Sequence, residues 1–143
     1  MLASRWKMKD LIDFHTRHKL QLLAHSPDEH RALGRVVAEG SSMSRDELRT
    51  AYSTAFMDTL ARPATRGRNA NVLNHAAGHL KEGLDSPVRQ EIAGLITDYR
   101  KGIVPLIVPV TLIAHYARRL DIGYLLGQTY LEPHPKELML RNH

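Results

Sequence analysis

The segment "IVPLIVPVTLIAHYARRL", residues 103–120, is apolar on most of its sides. A helix that lacks a polar face has to lie among other helices, because only there does its surface leave water. Its apolar run, 103–114, holds two prolines and one threonine. That is well short of the ~20 apolar residues needed to span a bilayer. Pro105 suits a first helical turn, whereas Pro109 removes a backbone donor and should kink or delay the helix. The expectation is a buried central helix that needs several helical partners.

The rest of the chain supplies them. No stretch shows sustained period-two alternation, while helix start and stop signals recur along the whole length. A first helix is expected over about 7–24. Ser26 then serves as N-cap, with Pro27 at the first helical position and Asp28 and Glu29 in the first turn, and Gly40 stops that helix. Ser44 and Glu47 form a capping-box pattern ahead of the next. After the basic loop "RPATRGRN", a fourth helix is expected over about 69–84. Ser86, Pro87 and Glu91 open a fifth that ends near Gly102, and a short helix is expected over about 122–131. In "EPHPKELMLRN" two prolines break the chain before a last turn. With 143 residues and no repeat or linker, this reads as one domain, 1–143. It is all-α: a compact bundle of about six to eight helices around the apolar one.

Composition then narrows the chemistry. The chain has no cysteine, which excludes disulfides, thiolate catalysis, thiolate zinc sites and a cysteine-held iron–sulfur cluster within it. The start "MLASRWKMKD" lacks the apolar core of a signal peptide. A soluble, cytoplasmic protein without a membrane partner is expected. The formal charge of +5 and pI of about 9.7 suit a polyanionic partner.

The stretch "FHTRHKLQLLAHSP" holds three of the nine histidines. On a helical wheel Leu11, His15, His18, Leu22 and His25 form one stripe on the core side, Arg17 points nearly opposite and Lys19 borders the apolar face. These imidazoles either are neutral and hydrogen-bonded inside the core, or line a polar or anion-binding pocket. A metal site is a third option, because "HAAGH" sets His75 and His79 at i, i+4 on another helix. Neither histidine pair has the intervening acid of an H-E-x-x-H motif, however, and Asp10 and Asp13 lie off the stripe. No metal and no cofactor are therefore expected. Ser26, which follows His25, is explained as a cap, and no serine sits in a glycine-rich elbow. No catalytic residue is assigned.

The cations carry more information by position. Arg62, Arg66 and Arg68 lead into a helix start, where free N–H groups and the dipole favour anions. Arg68, Asn71, His75 and His79 follow along that helix. Such a set can hold phosphates, with Asn71 or His75 left for a base or sugar. Solubilising arginines on a solvated loop are the plain alternative. Arg118 and Arg119 close the apolar helix at the negative end of its dipole.

Read together, "FHTRHKLQLLAHSP", "NVLNHAAGHLK", "YRKGIVPLIVPVTLIAHYARR" and "YLEPHPKELMLRN" resemble the YbgA-like family of bacterial domains of unknown function. Four separated motifs recur in order, from Phe14 to Asn142. The family occurs alone or fused behind a thiouracil or thiouridine desulfidase domain that carries its own cysteine-ligated iron–sulfur cluster. The resemblance implies a role beside tRNA thionucleoside removal, with this chain as the RNA-binding part and a desulfidase as partner in cis or in trans. It picks out His15, Arg17, His18, Lys19, His25, Asn71, His75, Lys81, Arg100, His115, Lys136 and Glu137. His79 departs from the pattern, which has an aromatic such as tyrosine there.

Three readings follow. The leading one is a non-catalytic tRNA-binding domain that contacts nucleic acid through Arg17, Lys19, Arg62, Arg66, Arg68, Asn71, His75, Lys81, Arg118, Arg119 and Lys136. The second is a protein-docking module for a separate desulfidase, using any exposed part of "IVPLIVPV". The third is a metal or small-molecule enzyme using the His15, His18 and His25 stripe with His75; a candidate pocket is lined by His15, His18, His25 and His115.

Overall fold

A computed structural model describes residues 6–132 and contains, among them, eight α-helices and no strand. They are α1 (Met8–Arg17), α2 (Lys19–His25), α3 (Pro27–Ala38), α4 (Arg45–Ala61), α5 (Arg66–Gly78), α6 (Ser86–Arg100), α7 (Ile107–Arg119) and α8 (Gly123–Leu126). Single 3₁₀ turns at Gly40–Ser42 and Lys81–Gly83 join neighbours. The chain is an all-α bundle, as its periodicity predicts. The expected last turn in "EPHPKELMLRN" lies, apart from Glu132, outside the described residues.

Several starts follow the sequence signals. The Ser26 and Ser44 hydroxyls accept the Glu29 and Glu47 amides at 3.2 and 3.1 Å, each satisfying a donor that the first helical turn leaves free. Two starts differ in their caps. Thr65 caps α5, accepting the Arg68 amide at 3.2 Å, so that helix begins three residues earlier than expected and ends sooner, at Gly78. Helix α6 opens at Ser86 as expected, but its N-cap, which no signal singled out, is Asp85, accepting the Val88 amide at 3.1 Å. The expected 122–131 helix is only the four residues of α8.

Two apolar clusters share the interior. The larger joins Leu20 and Ala24 of α2 to Ala70, Leu73 and Ala76 of α5, Ile92 and Ile96 of α6, and Val110 and Ile113 of α7. The smaller holds Trp6, Leu11, Leu22, Leu33, Leu48, Tyr52 and Phe56. Because α2 contributes to both, it ties them together. In this arrangement α5 packs against α2, α6 and α7, with alanines on its buried side that let neighbours approach closely.

The apolar helix is more one-sided than its sequence suggests. Pro109 delays it, so that α7 starts at Ile107 and Pro105 stays outside it. Val110, Ile113, Ala114 and Ala117 are buried, but Thr111, His115 and Arg118 face solvent and Ile103 is 66% exposed. The helix therefore covers the core with one face, and among the described residues its other side is exposed.

The expected continuous helix over 7–24 is broken at His18, whose backbone leaves helical geometry at φ −102°, ψ 6°. In a regular helix the Leu20 amide would donate to the Thr16 carbonyl. Here the Gln128 side chain stands between them: its carbonyl accepts Leu20 N–H at 3.1 Å and its amide donates to Thr16 at 2.7 Å. Insertion of a side chain into the helical ladder is a recognised cause of a break, and Gln128 itself is buried.

Candidate nucleic-acid interface

The helix break redistributes the histidine stripe. All three imidazoles are half-buried rather than sealed in the core, and each has its own setting. His15 Nδ1 shares a hydrogen bond with the Tyr52 hydroxyl at 3.0 Å, and its ring stacks on His30 with centroids 5.1 Å apart. His18 Nδ1 donates to the Phe14 carbonyl at 2.8 Å and the ring stacks on Phe14. His25 Nδ1 donates to the Arg62 carbonyl at 2.7 Å. His115 is exposed on α7, where it lines an open depression with Leu95, Ile107, Val108, Leu112 and Arg118. Among the described residues no three His, Asp or Glu side chains come together as metal ligands.

Burial and neighbouring charge keep the stacked pair neutral. Burial lowers the His15 pKa, helped by the charges of Lys19 and His18. Burial also pushes His30 down to about 4, with His15, Lys19 and Arg31 adding to the effect. No helical signal marked His30, because its stacking partner lies on a different helix.

The arginine loop divides by role. Arg62 reaches Glu29 at 3.2 Å while its carbonyl holds His25. Arg68 donates to the carbonyls of Pro63 and His25 at 3.0 and 3.3 Å. Both thus brace the loop against α2 and α3. Arg66 is different: it is exposed at the first position of α5, with its guanidinium lying over Gly102. Gly102 has φ +79°, a conformation glycine adopts without penalty at a helix C-terminus. A Cβ there would sit 3.1 Å from the guanidinium.

Arg100, in the last turn of α6, donates to Asn71 Oδ1 at 3.1 Å. Arg66, Asn71 and Arg100 are all exposed; Arg66 over Gly102 and Arg100 on Asn71 are two separate contacts between α5 and the end of α6. Beneath this patch, buried Asn69 accepts the Tyr130 hydroxyl at 2.5 Å. Burial raises the pKa of Tyr99 beside it, against the opposing effects of Asn69 and the Arg66 charge.

His75 on α5 and His79, the C-cap just after its last residue, are exposed with ring centroids 5.6 Å apart. The His79 ring lies 4.7 Å from that of Tyr124. Its pKa is lowered, chiefly by desolvation and then by the charges of His75 and Lys19, so half-buried Lys19 lies within electrostatic reach. The other expected contacts are scattered. Arg17 is exposed, with its carbonyl bound to the Thr129 amide at 3.1 Å. Lys81 is exposed beyond α5, Arg118 pairs with Glu132 at 3.0 Å, and Arg119 is exposed beside it. Lys136 and Glu137 lie outside the described residues. The structure therefore brings Arg100 of α6 to Asn71 of α5, one turn before His75, while Arg66 stands at the start of α5 on another side. It sets Arg118, Arg119 and His115 on another element.

The family model described as "Protein of unknown function (DUF1722)" matches residues 19–135. The chain belongs to this family. It is also 38% identical, over 133 residues, to the "Uncharacterized protein YbgA" of Escherichia coli (strain K12), covering 92% of this chain and 79% of that protein. The family resemblance carried by the four motifs is thereby established. No solved structure matches the fold. No helix among the described residues is long and apolar enough to cross a membrane.

Proposed function

We propose that this YbgA-like domain binds RNA, with tRNA as the leading candidate, and contributes binding rather than chemistry. The observation that carries this reading is a pair of exposed cations where α5 packs on α6, Arg66 lying over Gly102 and Arg100 bound to Asn71. Each exposed guanidinium can grip a phosphate through two N–H donors and carries charge that no pH change near neutrality removes. The +5 formal charge of the chain adds a field that steers a polyanion toward it. Arg62 and Arg68 keep the approach to α5 rigid instead of binding directly.

The biological setting we propose is tRNA thionucleoside desulfidation, which the family resemblance implies. Without cysteine, this chain would supply the RNA grip while a desulfidase in cis or in trans supplies the reaction. Filter binding of labelled tRNA across a salt series tests the reading. Affinity should fall with a log–log slope of roughly −0.7 to −0.9 per neutralised phosphate. Absent or salt-independent binding would refute it.

A second reading has one observation in its favour, the uncovered side of α7. Ile103 is 66% exposed, and Leu95, Ile107, Val108 and Leu112 line an open depression of about 600 Å³. Docking of a desulfidase there should survive nuclease treatment, so co-purification after RNA digestion would favour it over the RNA reading.

A further inference from the structure

The outer face of α5 carries more than cations. Asn71, His75 and His79 recur at i, i+4 and i+8, which places them on one side of the helix. Both imidazoles are exposed, and each has an aromatic neighbour that fixes its ring: His75 meets His79 edge to face, and His79 leans on Tyr124 at an angle of 34°. The Tyr124 hydroxyl is buried without a hydrogen-bond partner, so its ring is seated in the fold and supports the row from below. At 1.5 Å per residue, Asn71 to His79 covers about 12 Å. Stacked nucleotides advance about 3.4 Å each along a strand, so three or four bases fit along this face.

We infer that the α5 face is a platform for single-stranded RNA, with bases stacking on His75 and His79 while Arg100, bound to Asn71, holds a phosphate at its N-terminal end. This inference rests on the RNA reading above and adds the class of RNA recognised. A duplex hides its base faces within the stack and offers mainly phosphates and 2′-hydroxyls, whereas a loop or single strand can lay its bases on aromatic rings. Histidine is suited to this role because its ring is flat and a base can lie on its face.

The test compares a fluorescently labelled 12-nucleotide RNA with the same strand annealed to its complement, using the full chain. The single strand should bind at least tenfold more tightly. The double variant His75→Ala/His79→Ala should lose that advantage, weakening single-strand binding about 5- to 100-fold, the range expected for loss of one base–ring stack or more. Duplex binding and the salt slope should stay as they were. His75→Phe/His79→Phe should restore the preference, which a merely structural role for these exposed rings would not produce. If wild-type protein binds the duplex as tightly as the strand, with strong salt dependence, the RNA reading survives and the platform is wrong. Equal losses for strand and duplex in the alanine variant would also overturn it. Failure to bind either RNA would remove both proposals together.

Discussion

The Gln128 side-chain carbonyl accepts the backbone amide of Leu20, 108 residues away in sequence, at 3.1 Å. Its own amide completes the bridge to Thr16 at 2.7 Å, so one buried side chain occupies both ends of an opened helical turn. The break at His18 turns α2 relative to α1, so that Leu22 packs into the smaller cluster and Leu20 and Ala24 into the larger. Gln128→Ala should cost about 1–3 kcal/mol, the usual penalty for leaving buried polar groups without partners. Urea denaturation measures it. An unchanged midpoint would mean that α1 and α2 close their own ladder once the side chain is gone.

The stacked imidazoles predict a pH dependence. His30 is held down at about 4 and His15 is lowered as well, against an unfolded value near 6.5. The folded state therefore favours the neutral rings. Their contribution is complete above about pH 6.5 and is lost as pH falls toward about 4, where the unfolded chain binds protons that the fold resists. Thermal melts over this window should show a steeper decline for the wild type than for His30→Gln. Parallel curves would mean that the pair does not govern acid stability.

Beneath the arginine patch, Tyr130→Phe should strand buried Asn69 and cost about 1–2 kcal/mol. Asn69→Ala should cost a similar amount, and a double-mutant cycle should show that the two losses are not additive. Additive losses would break the link between these residues.

Gly102 joins stability to the proposed site. Gly102→Ala puts a side chain into a left-handed conformation, at about 1–2 kcal/mol, and crowds the Arg66 guanidinium. A lower melting temperature is expected together with weaker RNA binding. Normal binding at a temperature where the variant is fully folded would show that Arg66 needs no seat there.

Local chemistry in the sequence carries the helices and most of their starts. Ser26, Ser44 and the alternation of apolar stripes with prolines act within a few residues, so they can be read one stretch at a time. What escapes such reading is set by distant partners. Nothing near His18 announces a break, because its cause is Gln128. The wheel places His15 and His25 on one stripe, yet Tyr52 and His30 hold one while the Arg62 carbonyl holds the other. Loop position marks Arg62, Arg66 and Arg68 alike, and only the folded loop separates Arg62 and Arg68, which brace it against α2 and α3, from Arg66, which lies over Gly102. Arg100 was legible through the family motif alone, since its pairing with Asn71 requires α5 and α6 to meet. Thr65 was a cap signal in plain view, masked by the arginines around it.

The most direct measurement is the salt dependence of tRNA binding by wild-type chain and by the Arg66→Ala/Arg100→Ala variant, from roughly 50 to 200 mM salt. Both side chains are exposed, so the variant should fold normally, and circular dichroism confirms that before titration. The wild type should bind with a steep negative log–log slope, and the variant's slope should be shallower by roughly 0.7–0.9 for each guanidinium removed. Wild-type affinity with no salt dependence, or a folded variant with an unchanged slope, would contradict RNA binding at the α5–α6 crossing.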